Sequence, residues 1–237
     1  RAGSSGDGGA IEPNIKMSCG ARDMKIPSTV LSMPIARTHT GFPDVDAKHM
    51  NNPLLSLRLS KSVVGLAEAE AVSRVILQDG YLGMGREVQL FEQEIAVYLG
   101  VPTEAVVCVS SGTAGLHLAV EAVTRPGDEV LVQSLTYLAS FQAISAARAV
   151  PVACEVDPAT LTLDLEDAAR RVTEHTRAVM PVHYASNPGN LEAIYRFAER
   201  FGLRVIEDAA HAFGCTYQGR RIGSFGNVVC FSFDGIK

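Results

Sequence analysis

Beyond residue 104 the chain alternates between two hydrophobic periods. Short apolar runs rich in β-branched residues occupy 105–109, 130–132, 151–156, 178–182, 203–206 and 228–233. Segments of helical period fall between most of them, at 113–123, 137–147, 165–172 and 191–201. Short continuous apolar runs predict strands buried on both faces, and interleaved helices predict parallel connections between them. The expected fold is therefore α/β, a mostly parallel sheet flanked by helices on both faces. Asn190 offers a side-chain cap to the last helix, and Gly202 a stop. In such sheets the crossovers are right-handed and ligands bind beyond the carboxyl ends of the strands. The polar residues that follow the apolar runs are thus the ones to weigh for chemistry.

Upstream of this rhythm, Leu66, Ala69, Val72, Val75 and Ile76 repeat at helical spacing, as do Val88, Phe91, Ile95 and Tyr98 ahead of Gly100. Between them lies Gly80-Tyr81-Leu82-Gly83-Met84-Gly85. A glycine loop that grips a nucleotide phosphate follows a strand, whereas this one follows a helix, which weakens that reading. Residues 1–52 show no sustained period, and 1–10 are rich in Gly and Ser. They are expected to be a mostly disordered extension, linker or cloning remnant, leaving 53–237 as the folded part.

Composition narrows the classes. A chain of 237 residues, 47% hydrophobic and 20% charged, is an ordinary globular protein of one or two domains. Its formal charge of -5 argues against nucleic acid or an anionic membrane as partner. No apolar run approaches the roughly 18 residues of a membrane span, so the cytoplasm is the default location. The five cysteines are scattered without C-x-x-C spacing, which points to free thiols and to no metal site.

Several residues fall where the fold would place a ligand. Residues 110–114 (Ser-Ser-Gly-Thr-Ala) follow the first strand and open a helix, whose free N–H groups make either an anion site or a simple cap. Tyr137 follows the second strand, and His183 follows the fourth as a candidate substrate contact. The final third carries a carboxylate, Asp208, at the end of one apolar run, and Ser232 and Lys237 on and after the next. A strand-end carboxylate can pair with a protonated ring nitrogen, and an amine can form a Schiff base with an aldehyde. That combination is the one pyridoxal 5'-phosphate (PLP) requires. A free lysine, with a pKa of about 10.4, needs desolvation or a nearby cation before it can act as nucleophile and base. His117 and His175 read as structural.

Motifs in sequence order carry a family resemblance. Ser111-Gly112-Thr113-Ala114, Ser134-Leu135-Thr136-Tyr137, Pro181-Val182-His183-Tyr184, Asp208-Ala209-Ala210-His211, the glycines at 219, 223 and 226, Phe231-Ser232-Phe233 and Lys237 together resemble the DegT/StrS family of PLP-dependent sugar aminotransferases. The resemblance runs from about residue 53 to the end. It implies the N-terminal part of a PLP-binding large domain, with further large-domain strands and a smaller domain beyond residue 237. It implies phosphate binding by Gly112, Thr113, Ala114 and Ser232, a ring stacked on Tyr137, and His211 beside the phenolic oxygen where many members have glutamine. It makes Asp208 the partner of the ring nitrogen and Lys237 the covalent anchor and proton carrier. It further implies a homodimer and a reaction that moves an amino group from glutamate to a nucleotide-linked keto-deoxysugar, with carbon 4 favoured over carbon 3. Two departures stand out: members usually carry Ser or Thr near Gly83, and glycine where this chain has Ser186 or Asn187. A sugar 3-dehydratase on the same scaffold has histidine in place of Lys237, and a non-catalytic relative would lose Asp208 or Lys237; both residues are present.

Overall fold

A computed structural model describes residues 64–226 and 228–235. The expected extension at 1–52, and Lys237, lie outside these residues. The helices are α1 (Leu66–Arg74), α2 (Arg86–Leu99), α3 (Gly112–Val123), α4 (Ala139–Ala146), α5 (Leu165–Arg171) and α6 (Leu191–Phe201). The strands are β1 (Glu129–Gln133), β2 (Val150–Cys154), β3 (Thr176–Met180), β4 (Arg204–Asp208), the two-residue pair β5 (Thr216–Tyr217) and β6 (Arg220–Arg221), and β7 (Val228–Cys230).

The main sheet has the order β2-β1-β3-β4-β7 and every pairing in it is parallel. Alternating side chains split its two faces. Val130, Val132, Ala178, Met180 and Ile206 pack with Leu116, Val120, Ala143 and Ile144 of α3 and α4. Leu131, Val179 and Val205 pack with Ala168, Leu191, Ile194 and Phe197 of α5 and α6. Both faces are thus closed by apolar side chains, each contributing about 1.5–3 kcal/mol when fully buried. The chain runs from β1 outward to β2 and then returns past β1 to β3, so the strand order reverses beside β1, where open α/β sheets form a crevice.

Caps and ion pairs fix the helix ends. Asn190 Oδ1 accepts from Ala193 N at 3.0 Å to start α6, and Gly202 ends it in the left-handed region. Asp164 caps α5, and Asp167 on that helix accepts from Glu155 N at 2.9 Å, Arg171 Nε at 2.5 Å and Arg170 at 3.1 Å. The Arg171 hydrogen bond, then the Glu155 backbone N–H, pull the Asp167 carboxyl from 3.8 to about 2. A carboxyl with a depressed folded value stabilises fully above its unfolded value and loses that contribution as pH falls through the folded one. Asp167→Asn is therefore expected to flatten the fall of melting temperature between about pH 4 and pH 2. An unchanged acid slope in thermal melts would show that Asp167 does not report on folding.

Two sequence expectations are corrected. The run 105–109 forms no strand among the described residues: a short 3₁₀ turn, Thr103–Ala105, leads into extended chain with no ladder partner there. Its Cys108 N–H instead donates to Glu92 Oε1 at 2.7 Å. The run 228–233 is a strand only over β7, after which the chain leaves the sheet toward α3. The first amphipathic pattern does form α1, followed by a π-helical turn at Val75–Asp79, but α1 buries none of its residues. Its apolar stripe, and Leu77, Tyr81, Leu82 and Met84 after it, face outward.

Candidate active site

The pleat of β4 sends its last two carboxylates to opposite faces of the sheet. Glu207 points toward α6, where Tyr195 OH donates to its Oε1 at 2.6 Å. Asp208 points toward α4, where Ser140 Oγ donates to its Oδ2 at 2.7 Å, while Ala210 N donates to Oδ1 at 3.3 Å. The backbone of Asp208 is tied on both sides, its N–H to Pro181 O at 3.0 Å and its carbonyl to His183 N at 2.9 Å. Asp208 therefore sits at a strand terminus with its carboxylate plane fixed, 5% exposed. Beside it in the ladder is Cys230. Burial, and then the negative charges of Asp208 and Glu207, push that thiol up to about 12 and keep it neutral.

A second element converges on the same edge. The helix α3 is capped by Ser111, whose Oγ accepts from Ala114 N at 3.1 Å. The cap consumes the N–H of Ala114, so the outward-pointing donors of the first turn are those of Gly112 and Thr113. Ala114, also expected at the phosphate site, is the residue whose N–H the cap engages. Ser232, carried past the end of β7, lies against this helix end. A Cβ on Gly112 would stand 3.1 Å from Ser232 Cβ and 3.4 Å from its Oγ, so the missing side chain is what lets the hydroxyl approach. Backbone donors at a helix N-terminus with a hydroxyl beside them form a seat for a phosphate.

Tyr137, two residues ahead of α4, and His211, three residues beyond Asp208, are both exposed at this edge. The loop after β3 leans on the latter: Ser186 Oγ donates to His211 O at 2.5 Å, and the rings of Tyr184 and His211 lie 6.3 Å apart. Ala185 and Ser186 both have left-handed φ, 50° and 67°, a conformation that glycine adopts freely and these residues do not. This is the segment where the family resemblance expects glycine.

His183 is placed differently from expectation. Its side chain is fully buried, with Nε2 3.1 Å from Glu207 Oε2, so it faces the interior and not the open edge. The physical reason is that the chain after β3 still runs beside β4, bridging Val182 to Asp208, and the next side chain turns inward to meet Glu207. Gly226 seals this buried group from one side. With φ at 100°, a Cβ there would stand 2.7 Å from Glu207 Oε1 and against the Tyr195 hydroxyl. Gly226→Ala is expected to destabilise the protein by roughly 2–3 kcal/mol through strain and displacement of the buried carboxylate. A denaturation midpoint equal to the parent's would rule out the tight packing.

A sequence model of the DegT/DnrJ/EryC1/StrS aminotransferase family matches residues 65–237. The chain belongs to this family. A relative from Saccharopolyspora spinosa, a dTDP-4-dehydro-2,3,6-trideoxy-D-glucose 4-aminotransferase, is 39% identical over 182 residues, which cover 76% of this chain and 47% of the relative. The crystal structure of AtS13 from Actinomadura melliaura superposes with a TM-score of 0.71 at 40% identity, covering 76% of this chain and 50% of that one. The PLP form of Spr1654 from Streptococcus pneumoniae superposes with a TM-score of 0.69 at 27% identity, covering 76% of this chain and 50% of that one. The chain spans about half the length of these DegT/StrS relatives.

The family works with PLP, and the residues at this edge fit that cofactor. A helix N-terminus that a Cβ on Gly112 would crowd suits the phosphate, and a carboxylate locked at the strand end suits a ring nitrogen. Sequence reasoning missed Ser140 and Thr136, whose hydroxyls are 2.7 Å apart and support Asp208. It also missed the Glu207–Tyr195 pair. Nothing in the sequence pointed to Ser140, because its contact with Asp208 comes from the packing of α4 against β4.

Proposed function

We propose that this chain is the cofactor-binding part of a PLP-dependent aminotransferase that moves an amino group from glutamate to carbon 4 of a nucleotide-linked keto-deoxysugar. The observation that carries this reading is the convergence on one sheet edge of Asp208, with both oxygens oriented, and the capped N-terminus of α3 with Ser232 against it. When bound, PLP supplies an electron sink that accepts the pair left when a carbon beside the nitrogen loses its proton. Gly112, Thr113 and Ser232 bind the phosphate with backbone N–H and hydroxyl donors. Asp208 holds a proton on the ring nitrogen by placing a negative charge opposite it. Tyr137 would stack on the ring of the bound cofactor, and His211 would lie on the side of its phenolic oxygen. Lys237 would hold the cofactor through its amine and, once displaced, would serve as the base and acid that moves the proton.

The name of the Saccharopolyspora relative, a 4-aminotransferase acting on a dTDP-linked deoxysugar, supports the substrate class and the position. Lys237 weighs against the dehydratase alternative. A homodimer is supported by the outward apolar stripe of α1 and by exposed Leu77, Tyr81 and Leu82, a surface that a second copy would cover. Among the described residues no helix is long and apolar enough to cross a membrane. The test is to incubate the full-length protein with glutamate and a panel of nucleotide keto sugars, and to identify products by mass. A 4-amino sugar with matching 2-oxoglutarate is expected. Amination at carbon 3 would overturn the position, and no amination of any keto sugar would overturn the substrate class. Elution at monomer mass from a sizing column would remove the dimer.

A further inference from the structure

We infer that Thr136 and Ser140 form a positioning relay that aims Asp208. The inference rests on the reading of Asp208 as partner of the PLP ring nitrogen. Ser140 is wholly buried and lies 2.7 Å from two oxygens, Asp208 Oδ2 and Thr136 Oγ1. An ionised carboxylate only accepts hydrogen bonds, and a serine hydroxyl has a single proton. Ser140 must therefore donate to Asp208, and its other contact must be one in which Thr136 donates to Ser140. The direction of the chain is thus set: Thr136 O–H to Ser140 Oγ, Ser140 O–H to Asp208 Oδ2.

This direction has two consequences. A hydroxyl that itself accepts a hydrogen bond is a stronger donor, so Thr136 strengthens the bond on Asp208. With Oδ2 engaged by Ser140 and Oδ1 by Ala210 N, rotation of the carboxylate about its Cβ–Cγ bond would break both contacts, so the lone pairs that remain are held in one plane. The residue after Thr136 is Tyr137, whose carbonyl accepts from Ser140 N at 3.2 Å, so the segment that starts the relay also carries the side chain proposed to cover the ring. Ser140 touches neither ring nor substrate; its effect passes through Asp208, which makes it a positioning residue.

The experiment compares Ser140→Ala, Thr136→Val, Thr136→Ser and Asp208→Asn in the full-length protein. It measures the PLP dissociation constant by fluorescence quenching of the apoprotein, and kcat and KM at saturating PLP. Ser140→Ala is expected to weaken PLP binding about tenfold and to lower kcat about tenfold, the scale of one hydrogen bond to a charged group. KM for the sugar should stay within about twofold, because the sugar is not contacted. Thr136→Val should move both quantities the same way by about threefold, and Thr136→Ser, which keeps the donor, should match the parent. A residue that only filled a buried space would lower the apoprotein's melting temperature and leave kcat at saturating PLP intact. Ser140→Ala and Thr136→Val both matching the parent in PLP affinity and kcat, while Asp208→Asn loses them, would overturn the relay and leave the site standing. If Ser140→Ala does not fold, the half-buried Thr136→Val decides alone. Asp208→Asn matching the parent would instead remove the reading of the site on which the relay depends.

Discussion

Replacing Asp208 with asparagine is expected to lower kcat by about a hundredfold to a thousandfold in a protein that still folds, the scale of losing one preorganised electrostatic contact. Asparagine has the same shape, and the backbone bonds to Pro181 and His183 that fix this strand end do not involve the side chain. Ser140 can donate to the amide oxygen as it does to the carboxylate, at the expense of the long 3.3 Å contact from Ala210 N, which then faces the amide NH2. What disappears is the negative charge, and with it the reason for a ring nitrogen to keep its proton. The loss should fall on kcat more than on KM, because the charge acts where the electron pair is delocalised. Steady-state kinetics at saturating PLP checks this. A kcat within about threefold of the parent would detach Asp208 from the chemistry.

Lys237→Ala should reduce turnover by about four orders of magnitude or more, because one substitution removes both the covalent anchor and the group that moves the proton. Binding of PLP should persist in weakened form, since Gly112, Thr113, Ser232 and Asp208 are the residues proposed to hold the phosphate and ring. The visible absorption of the covalently held cofactor should vanish and that of the free aldehyde replace it. Turnover near the parent level would contradict the assignment of Lys237.

Much of this site was legible before any coordinates. The alternation of apolar runs with helical periods specified parallel strands, and the rule that ligands gather at the carboxyl ends of such strands singled out Asp208, Gly112 and Tyr137. The places where the reading went astray share a cause. The run 105–109 has the composition of a buried strand, yet pairing depends on a neighbour far away in the chain, and no described residue supplies one. The helical period at 66–76 did yield α1, and period alone says nothing about which surface its stripe meets. His183 follows a strand like the functional residues do, but its side chain turns inward to Glu207, and one residue of offset in a pleated segment is enough to exchange edge for interior. Ser140 and Thr136 were invisible for the opposite reason. A serine in an apolar helix gives no sign of what it touches, and only the packing of α4 against β4 brings it to Asp208.

The glycine departures in the loop after β3 acquire a physical reading from the same geometry. Ala185 and Ser186 hold left-handed backbone without glycine's freedom, and Ser186 offsets part of that cost by donating to the carbonyl of His211. The loop is thereby tied to the backbone of His211, the residue proposed to stand beside the cofactor.

The central claim is that PLP is tethered to Lys237 at the edge built by Asp208 and the start of α3. Borohydride reduction of the PLP-loaded full-length protein, followed by protease digestion and peptide mass spectrometry, tests it directly. The account predicts that the peptide containing Lys237 alone carries the mass of a reduced phosphopyridoxyl group. The same group found on a different lysine, or an unmodified Lys237 peptide from protein that retains PLP, would contradict it.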